Sequence, residues 1–409
     1  MSSIGSTHHP LQTRLEGIHE ILEDLTSSPS SHDMMELAMA TVTSLDISQE
    51  EGTPLVWLII VGAPGSDKTQ RVLTLKECGH EVFLDTLTVN SFASGFVHHK
   101  TGKAAESLLP QLNGKCLIIK DLTTLFSQRS ENVQKILGDL LSIYDGSYAK
   151  ATGTVGILSY DSSFTILACI TPQALKKHQG YMSSIGGRFL CFEVESLSDE
   201  QKQEGFNLIW NMEGRKEKVK ALEKLVVEHV EDILTCPVGF QRETSEQQKM
   251  INTLAELMAA GRSVVEYDWV DRKREIVSHQ TEQPWRGTFQ LRTLGRALAR
   301  VHSRDHLTGH ELEMLRRVVL SSVHMAWGDI LRVVPYHPEG LTVAKVAAKL
   351  KLSAPWARQI LKELVVVGIL DSSYAGKERV YYPKEQYQAL LSKPLTPLDH
   401  WHDLKEKKH

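Results

Sequence analysis

Leu58-Ile-Ile-Val-Gly62-Ala-Pro-Gly65-Ser-Asp67-Lys68-Thr69 is an apolar run, then a turn holding two glycines, then a lysine–threonine pair. The run is strand-sized, and the residues after the turn open a helix. A glycine-rich turn between strand and helix lets backbone N–H groups and the helix N-terminus cradle phosphate. Gly62, Ala63, Pro64, Gly65, Ser66, Asp67, Lys68 and Thr69 are therefore the candidate cofactor-binding residues. In this pattern Lys68 reaches the β- and γ-phosphates and Thr69 holds Mg²⁺. One position departs from it. Asp67 stands where GxxxxGK[ST] has its last glycine. Aspartate tolerates unusual backbone angles better than most residues, but a carboxylate near the phosphates is expected to weaken nucleotide binding or to abolish it.

Outward from this loop, strand-like apolar runs alternate with helical stretches: Leu55–Val61, His80–Leu84, Cys116–Ile119, Thr165–Ile170 and Phe189–Val194. Such alternation predicts a parallel sheet with helices on both faces. Cys116-Leu-Ile-Ile-Lys120-Asp121 is an apolar strand ending in a carboxylate, and Asp121 is the second candidate Mg²⁺ ligand beside Thr69. Leu122 follows it, so no water-activating base adjoins; Glu131, Asp139 and Asp145 are the remaining candidates. Glu131–Tyr144 reads as a helix, and Ala149–Ser159 as a β-hairpin.

In this order the motifs resemble AAA+ ATPases, and among them the minichromosome maintenance (MCM) helicases, from Gly62 to about Val323. Asp145-Gly-Ser-Tyr-Ala-Lys150-Ala-Thr-Gly resembles the segment leading into a DNA-facing hairpin. Phe164-Thr-Ile-Leu-Ala-Cys-Ile-Thr171-Pro172 resembles the sensor-1 strand, with Thr171 where the family usually has asparagine. Gly186-Gly-Arg188-Phe189 resembles the motif that offers an arginine finger to a neighbouring subunit. Leu291-Arg292-Thr-Leu-Gly-Arg296 resembles a lid helix with a sensor-2 arginine, at either Arg292 or Arg296. The resemblance implies ATP and Mg²⁺ as cofactors, catalytic roles for Arg188, Thr171 and Arg292 or Arg296, and a homo-oligomeric ring, a hexamer above all. It implies DNA as partner, contacted by Lys150. There is no room for the large N-terminal oligonucleotide-binding domain of MCM proteins.

The flanks have their own character. Leu11–Leu25 has helical spacing, Ser27–Ser31 is a linker, and Asp33 is expected to cap a second helix through Met39. Residues 1–50 carry eight acidic residues and one basic, which suits a protein partner. Trp210–Leu234, Ser245–Met258, Phe289–His302 and Gly309–Val323 read as helices of a lid, with residues 262–288 less regular. From about residue 338 a helix, the turn Lys351–Ser353, a second helix from Ala354 and a hairpin across Ala375–Gly376 predict a winged helix-turn-helix. Arg358, Gln359 and Lys362 on its second helix and Lys377 and Arg379 on its wing are the candidate DNA contacts. The expected domains are 1–50, an AAA+ core over 51–196, a helical lid over 197–330, the winged helix over 338–393 and a tail over 394–409. His400 and His402 in the tail read as solvated.

The whole chain has 409 residues, net charge −4 and 41% hydrophobic residues. That composition excludes collagen-like, disulfide-scaffold and wholly disordered classes. No apolar run approaches the roughly 20 residues of a membrane span, and no secretory signal opens the sequence, so a cytoplasmic location is expected. No two of the five cysteines have metal-ligand spacing, and Cys116, Cys169 and Cys191, beside apolar strand-like segments, read as buried hydrophobes in a reducing compartment. Three activities fit: a DNA-associated AAA+ motor, a degenerate ATPase serving as a nucleotide-gated DNA-binding scaffold, and a protein remodeller or loader.

Overall fold

A computed structural model describes residues 10–94, 106–152, 156–178, 180–181, 185, 187–236, 239–270, 273–333 and 340–392. In chain order, the first elements are α1 (Pro10–Leu25), α2 (Ser30–Glu51), β1 (Trp57–Val61), α3 (Lys68–Leu73), β2 (Glu81–Leu84), α4 (Leu109–Leu112) and β3 (Cys116–Ile119). Then come α5 (Thr123–Phe126), α6 (Ser130–Tyr144), β4 (Ser147–Thr152), β5 (Gly156–Asp161), β6 (Thr165–Ile170), α7 (Pro172–Lys177) and β7 (Phe189–Glu193). Helical and mixed structure follows: α8 (Asp199–Asn211), α9 (Arg215–Thr235), α10 (Ser245–Gly261), β8 (Val264–Val270), β9 (Lys273–Gln280), α11 (Trp285–Val301), α12 (Gly309–Ser322) and α13 (Met325–Val333). The last elements are β10 (Leu341–Thr342), α14 (Val343–Leu350), α15 (Ala354–Val366), β11 (Leu370–Ala375), β12 (Glu378–Pro383) and α16 (Glu385–Leu391).

The chain divides into two compact units. The first comprises residues 1–189, 193–242 and 292–311. Its centre is a five-stranded parallel sheet of order β2-β3-β6-β1-β7, flanked by helices, so the α/β reading holds. Every residue of β1, β3 and β6 is buried, as near-continuous apolar strands covered on both faces must be. β1 lies between β6 and β7, while its sequence successor β2 is at the sheet's far edge. The strand order thus turns back beside β1, and in open α/β sheets ligands bind at such a point, outside the carboxyl ends of the strands.

Two sequence expectations on the helices are corrected. The second helix does not stop at Met39. It runs from Ser30 to Glu51, with Asp33 inside its first turn rather than capping it. It is buried along most of its length, packed on β1, β3, β6 and α3. A helix buried all round shows little amphipathic period, so its extent was not legible. The expected helix over Trp210–Leu234 is two helices, broken at Met212–Gly214. The hairpin read at 149–159 is present as β4 paired antiparallel with β5.

The second unit comprises residues 190–192, 243–291 and 312–409. Thr244 and Gln247 close a capping box on α10, satisfying two of its orphan N–H groups. Residues 262–288, expected to be irregular, contain the hairpin β8–β9 with a bulge at Glu266/Tyr267. Further on, α14 and α15 form a helix–turn–helix, capped by Thr342 and Ser353, with Pro355 in the first turn of α15. Strands β10, β12 and β11 make a small sheet beside it. Among the described residues no helix is long and apolar enough to cross a membrane.

Candidate functional site

The phosphate loop leaves the carboxyl end of β1. Gly62 N donates to Ile170 O at 3.1 Å. A Cβ on Gly62 would stand 2.4 Å from Ser66 Oγ and 3.1 Å from Val194, so only glycine lets the loop close this tightly. Asp67 adopts φ +59°, the left-handed region that the glycine of this pattern supplies. Its carboxylate accepts a hydrogen bond from Thr26 Oγ1 at 3.0 Å, on the α1–α2 connection. The residue that departs from the pattern is thereby tied to a segment that sequence reasoning had treated as a separate acidic head. Lys68 is 8% exposed and donates to Ala63 O at 3.0 Å, folded back along the loop. The first-turn N–H groups of α3 have no partner within the helix, and Ser66 Oγ is buried without a hydrogen-bond partner. An orphaned hydroxyl and free amides in a turn without room for a Cβ fit a phosphate ligand.

The sheet brings two further candidates to the same edge. β6 lies between β3 and β1, with Ile119 opposite Ala168 and Val61 opposite Ile170. Asp121 and Thr171, just beyond β3 and β6, therefore lie at the same edge of the sheet as the loop, both on one side of it. Cys169 of β6 marks their convergence. Burial pushes its thiol up to about 12, Lys68 pulling the other way and Asp121 adding to the rise. Asp121 Oδ1 accepts from Thr123 N at 2.8 Å and the side chain is exposed. Thr171 caps α7, its hydroxyl accepting from Ala174 N at 3.3 Å. Thr69 is half-buried at the start of α3.

The arginines lie elsewhere. Arg188 immediately precedes β7, at the amino end of the strands. It donates to Ile185 O at 3.1 Å, stands 3.7 Å from Asp145 and lies over the Tyr144 ring. Tyr144 in turn bonds Leu55 O, just before β1. With a rise of about 3.3 Å per residue along a strand, this edge lies more than 10 Å from the phosphate loop. Arg188 is 15% exposed, turned inward rather than projecting as its loop position suggested.

Arg292 and Arg296 also lie away from the loop. Both bind Glu51 at the end of α2, Arg292 at 3.5 Å and Arg296 more closely, and Thr293 bonds Thr53. The other end of α2, at Ser30, is the one near the loop, since Ser30 bonds Glu195 just beyond β7. A helix of this length spans about 30 Å, so neither arginine serves the phosphate loop of its own chain. Of the candidate bases, Asp145 sits with Arg188, and Asp139 faces Lys150 at 3.9 Å with its pKa raised by burial. Glu131 is exposed in the first turn of α6. Leu122 is buried and offers no carboxylate.

Lys150 is on β4, bonded to Val89 O and Asn90 Oδ1, both at 3.3 Å. In the second unit Arg358 and Lys362 on α15 and Lys377 and Arg379 on the β11–β12 hairpin are exposed. Gln359 is not available in the same way. Its amide donates to Tyr267 and to Glu363, both at 3.2 Å, against the β8–β9 hairpin that the sequence did not reveal. Gly186 and the tail with His400 and His402 lie outside the described residues.

Sequence reasoning also passed over Arg71. It is 5% exposed on α3, one turn after Asp67, with Nε and Nη1 lacking hydrogen-bond partners. Its spacing from Lys68 was the available signal.

No protein-family model matches the chain, and no curated protein matches it.

Proposed function

We propose that the chain is an ATPase of the AAA+ type, similar to the ATPase module of MCM helicases, working as an oligomer on DNA through a winged helix. The observation that carries this is the convergence of Gly62–Thr69, Asp121 and Thr171 at the carboxyl edge of the sheet, beside the point where strand order turns back. Lys68 and the amides of α3 would hold the phosphates of ATP, and Thr69 with Asp121 would hold Mg²⁺, which neutralises charge during phosphoryl transfer. Thr171 would orient the attacking water. Arg188, at the opposite edge, can serve only a neighbour's phosphates, once released from Asp145. Such a trans contact is head-to-tail, and closed rings are its usual outcome. An apolar face of α8, with Phe206, Ile209 and Trp210 exposed, supplies surface for a second copy. Exposed cations on α15 and on the adjoining hairpin suit phosphate contacts with DNA.

A second reading rests on Leu122 and Asp67. Without a carboxylate after Asp121, the chain would bind nucleotide as a switch and turn it over poorly. One experiment separates the two: ATP turnover by the purified protein and by Lys68→Ala, with and without DNA. DNA-stimulated turnover that Lys68→Ala abolishes is expected. Nucleotide and DNA binding without turnover would favour the scaffold, and stimulation by protein alone a loader. Turnover unchanged in Lys68→Ala would sink the site assignment.

A further inference from the structure

Away from the phosphate loop, the first unit buries a carboxylate among imidazoles. Glu36, in the second turn of α2, is 3% exposed. Its Oε2 lies 2.7 Å from His310 Nε2 and 3.0 Å from His302 Nε2, and its Oε1 lies 3.3 Å from His19 Nε2. Among the described residues no lysine or arginine comes within ion-pair distance of it. We propose that Glu36, His302 and His310 form a structural binding site for one divalent ion of the zinc class.

The donor set is one zinc takes: two imidazole nitrogens with a carboxylate oxygen. The atoms of Glu36, His302 and His310 all lie within 4.8 Å of one another. A tetrahedral ion with bonds of about 2.1 Å holds its ligands about 3.4 Å apart, so the site closes with side-chain shifts of about 1 Å or less.

One carboxylate oxygen serves two imidazoles: Glu36 Oε2 meets His310 Nε2 at 2.7 Å and the buried His302 Nε2 at 3.0 Å. Two imidazole nitrogens converging on one buried carboxylate oxygen suit a shared cation.

The three donors come from α2, the residue after α11 and the start of α12, so the helix near the N-terminus meets two histidines about 270 residues later. The support around them is built as metal sites require. His19 meets His32 through the Nδ1 atoms at 2.7 Å. Fully buried Glu311 accepts from Thr308 N and from Arg304, both at 2.6 Å, which fixes the turn between His302 and His310. A bound ion would staple that turn to the N-terminal helices. The site does not depend on nucleotide binding, so its test is separate.

The full chain is stripped with a chelator, checked for its fold by circular dichroism, and titrated with Zn²⁺ by calorimetry and with Co²⁺ by visible absorption. One ion per chain, intense tetrahedral cobalt bands and a higher melting temperature with Zn²⁺ are expected. His302→Ala should lose the bands and weaken zinc at least about tenfold; His302→Gln, which keeps a polar group beside Glu36, is the second variant should the alanine fail to fold. A folded wild type that takes up neither ion, or cobalt bands undiminished in His302→Ala, would overturn the site.

Discussion

Asp67 carries the largest consequence at the scale of one residue. It holds a left-handed backbone angle that costs most side chains about 1–2 kcal/mol, and its carboxylate leans on Thr26 beside the loop. Asp67→Gly should tighten nucleotide binding up to about tenfold, the scale of one partly screened charge near phosphate, as read by equilibrium titration. Weaker binding would mean that the Thr26 contact shapes the loop. The cysteines make a second residue-scale case. Burial pushes the thiols of Cys78, Cys116 and Cys169 up to about 12, and Cys191 is buried as well. Only the thiolate reacts. A thiol reagent at mildly alkaline pH should therefore label Cys236 alone in the folded protein, and all five cysteines once it is unfolded.

Among the elements, α10 and α12 approach closely where α10 ends. A Cβ on Gly261 would fall 2.3 Å from Val323 Cγ1. Gly261→Ala should cost about 1–3 kcal/mol through overpacking, seen as a lower urea midpoint with an unchanged slope. A midpoint at the wild-type value would mean that Val323 has room to turn. The sheet strands were legible as continuous apolar runs and most helices by their 3.6-residue period. The β8–β9 hairpin was not. Its turn residues lie among charged side chains, and Trp269 and Val277 stay exposed, so no buried face imposed an alternation to read.

For the molecule as a whole, the decisive feature is that the phosphate loop and Arg188 occupy opposite edges of one sheet. Arg188→Ala should keep nucleotide binding and lose turnover by a factor on the order of 10³ or more. Mixing it with Lys68→Ala should restore part of the activity, because junctions joining an intact loop to an intact arginine reappear. A strictly monomeric protein with ATP, or loss of nucleotide binding in Arg188→Ala, would contradict the trans arrangement.

Sequence alone determined the glycine-rich turn after β1, the five strands of the sheet, and the two helices and turn near the C-terminus with their cations. These are local matters: backbone angle, side-chain period and turn chemistry act over a few residues. Tertiary structure alone decided which edge each candidate reached. It separated Arg292 and Arg296 from the loop, turned Gln359 toward Tyr267, and buried α2 against the sheet. It also gathered His19, Glu36, His302 and His310 around one carboxylate. The physical reason is the same in each case. Burial, hydrogen bonding and ion pairing join residues tens to hundreds of positions apart, and no local pattern records which of them the packed sheet and helices bring together.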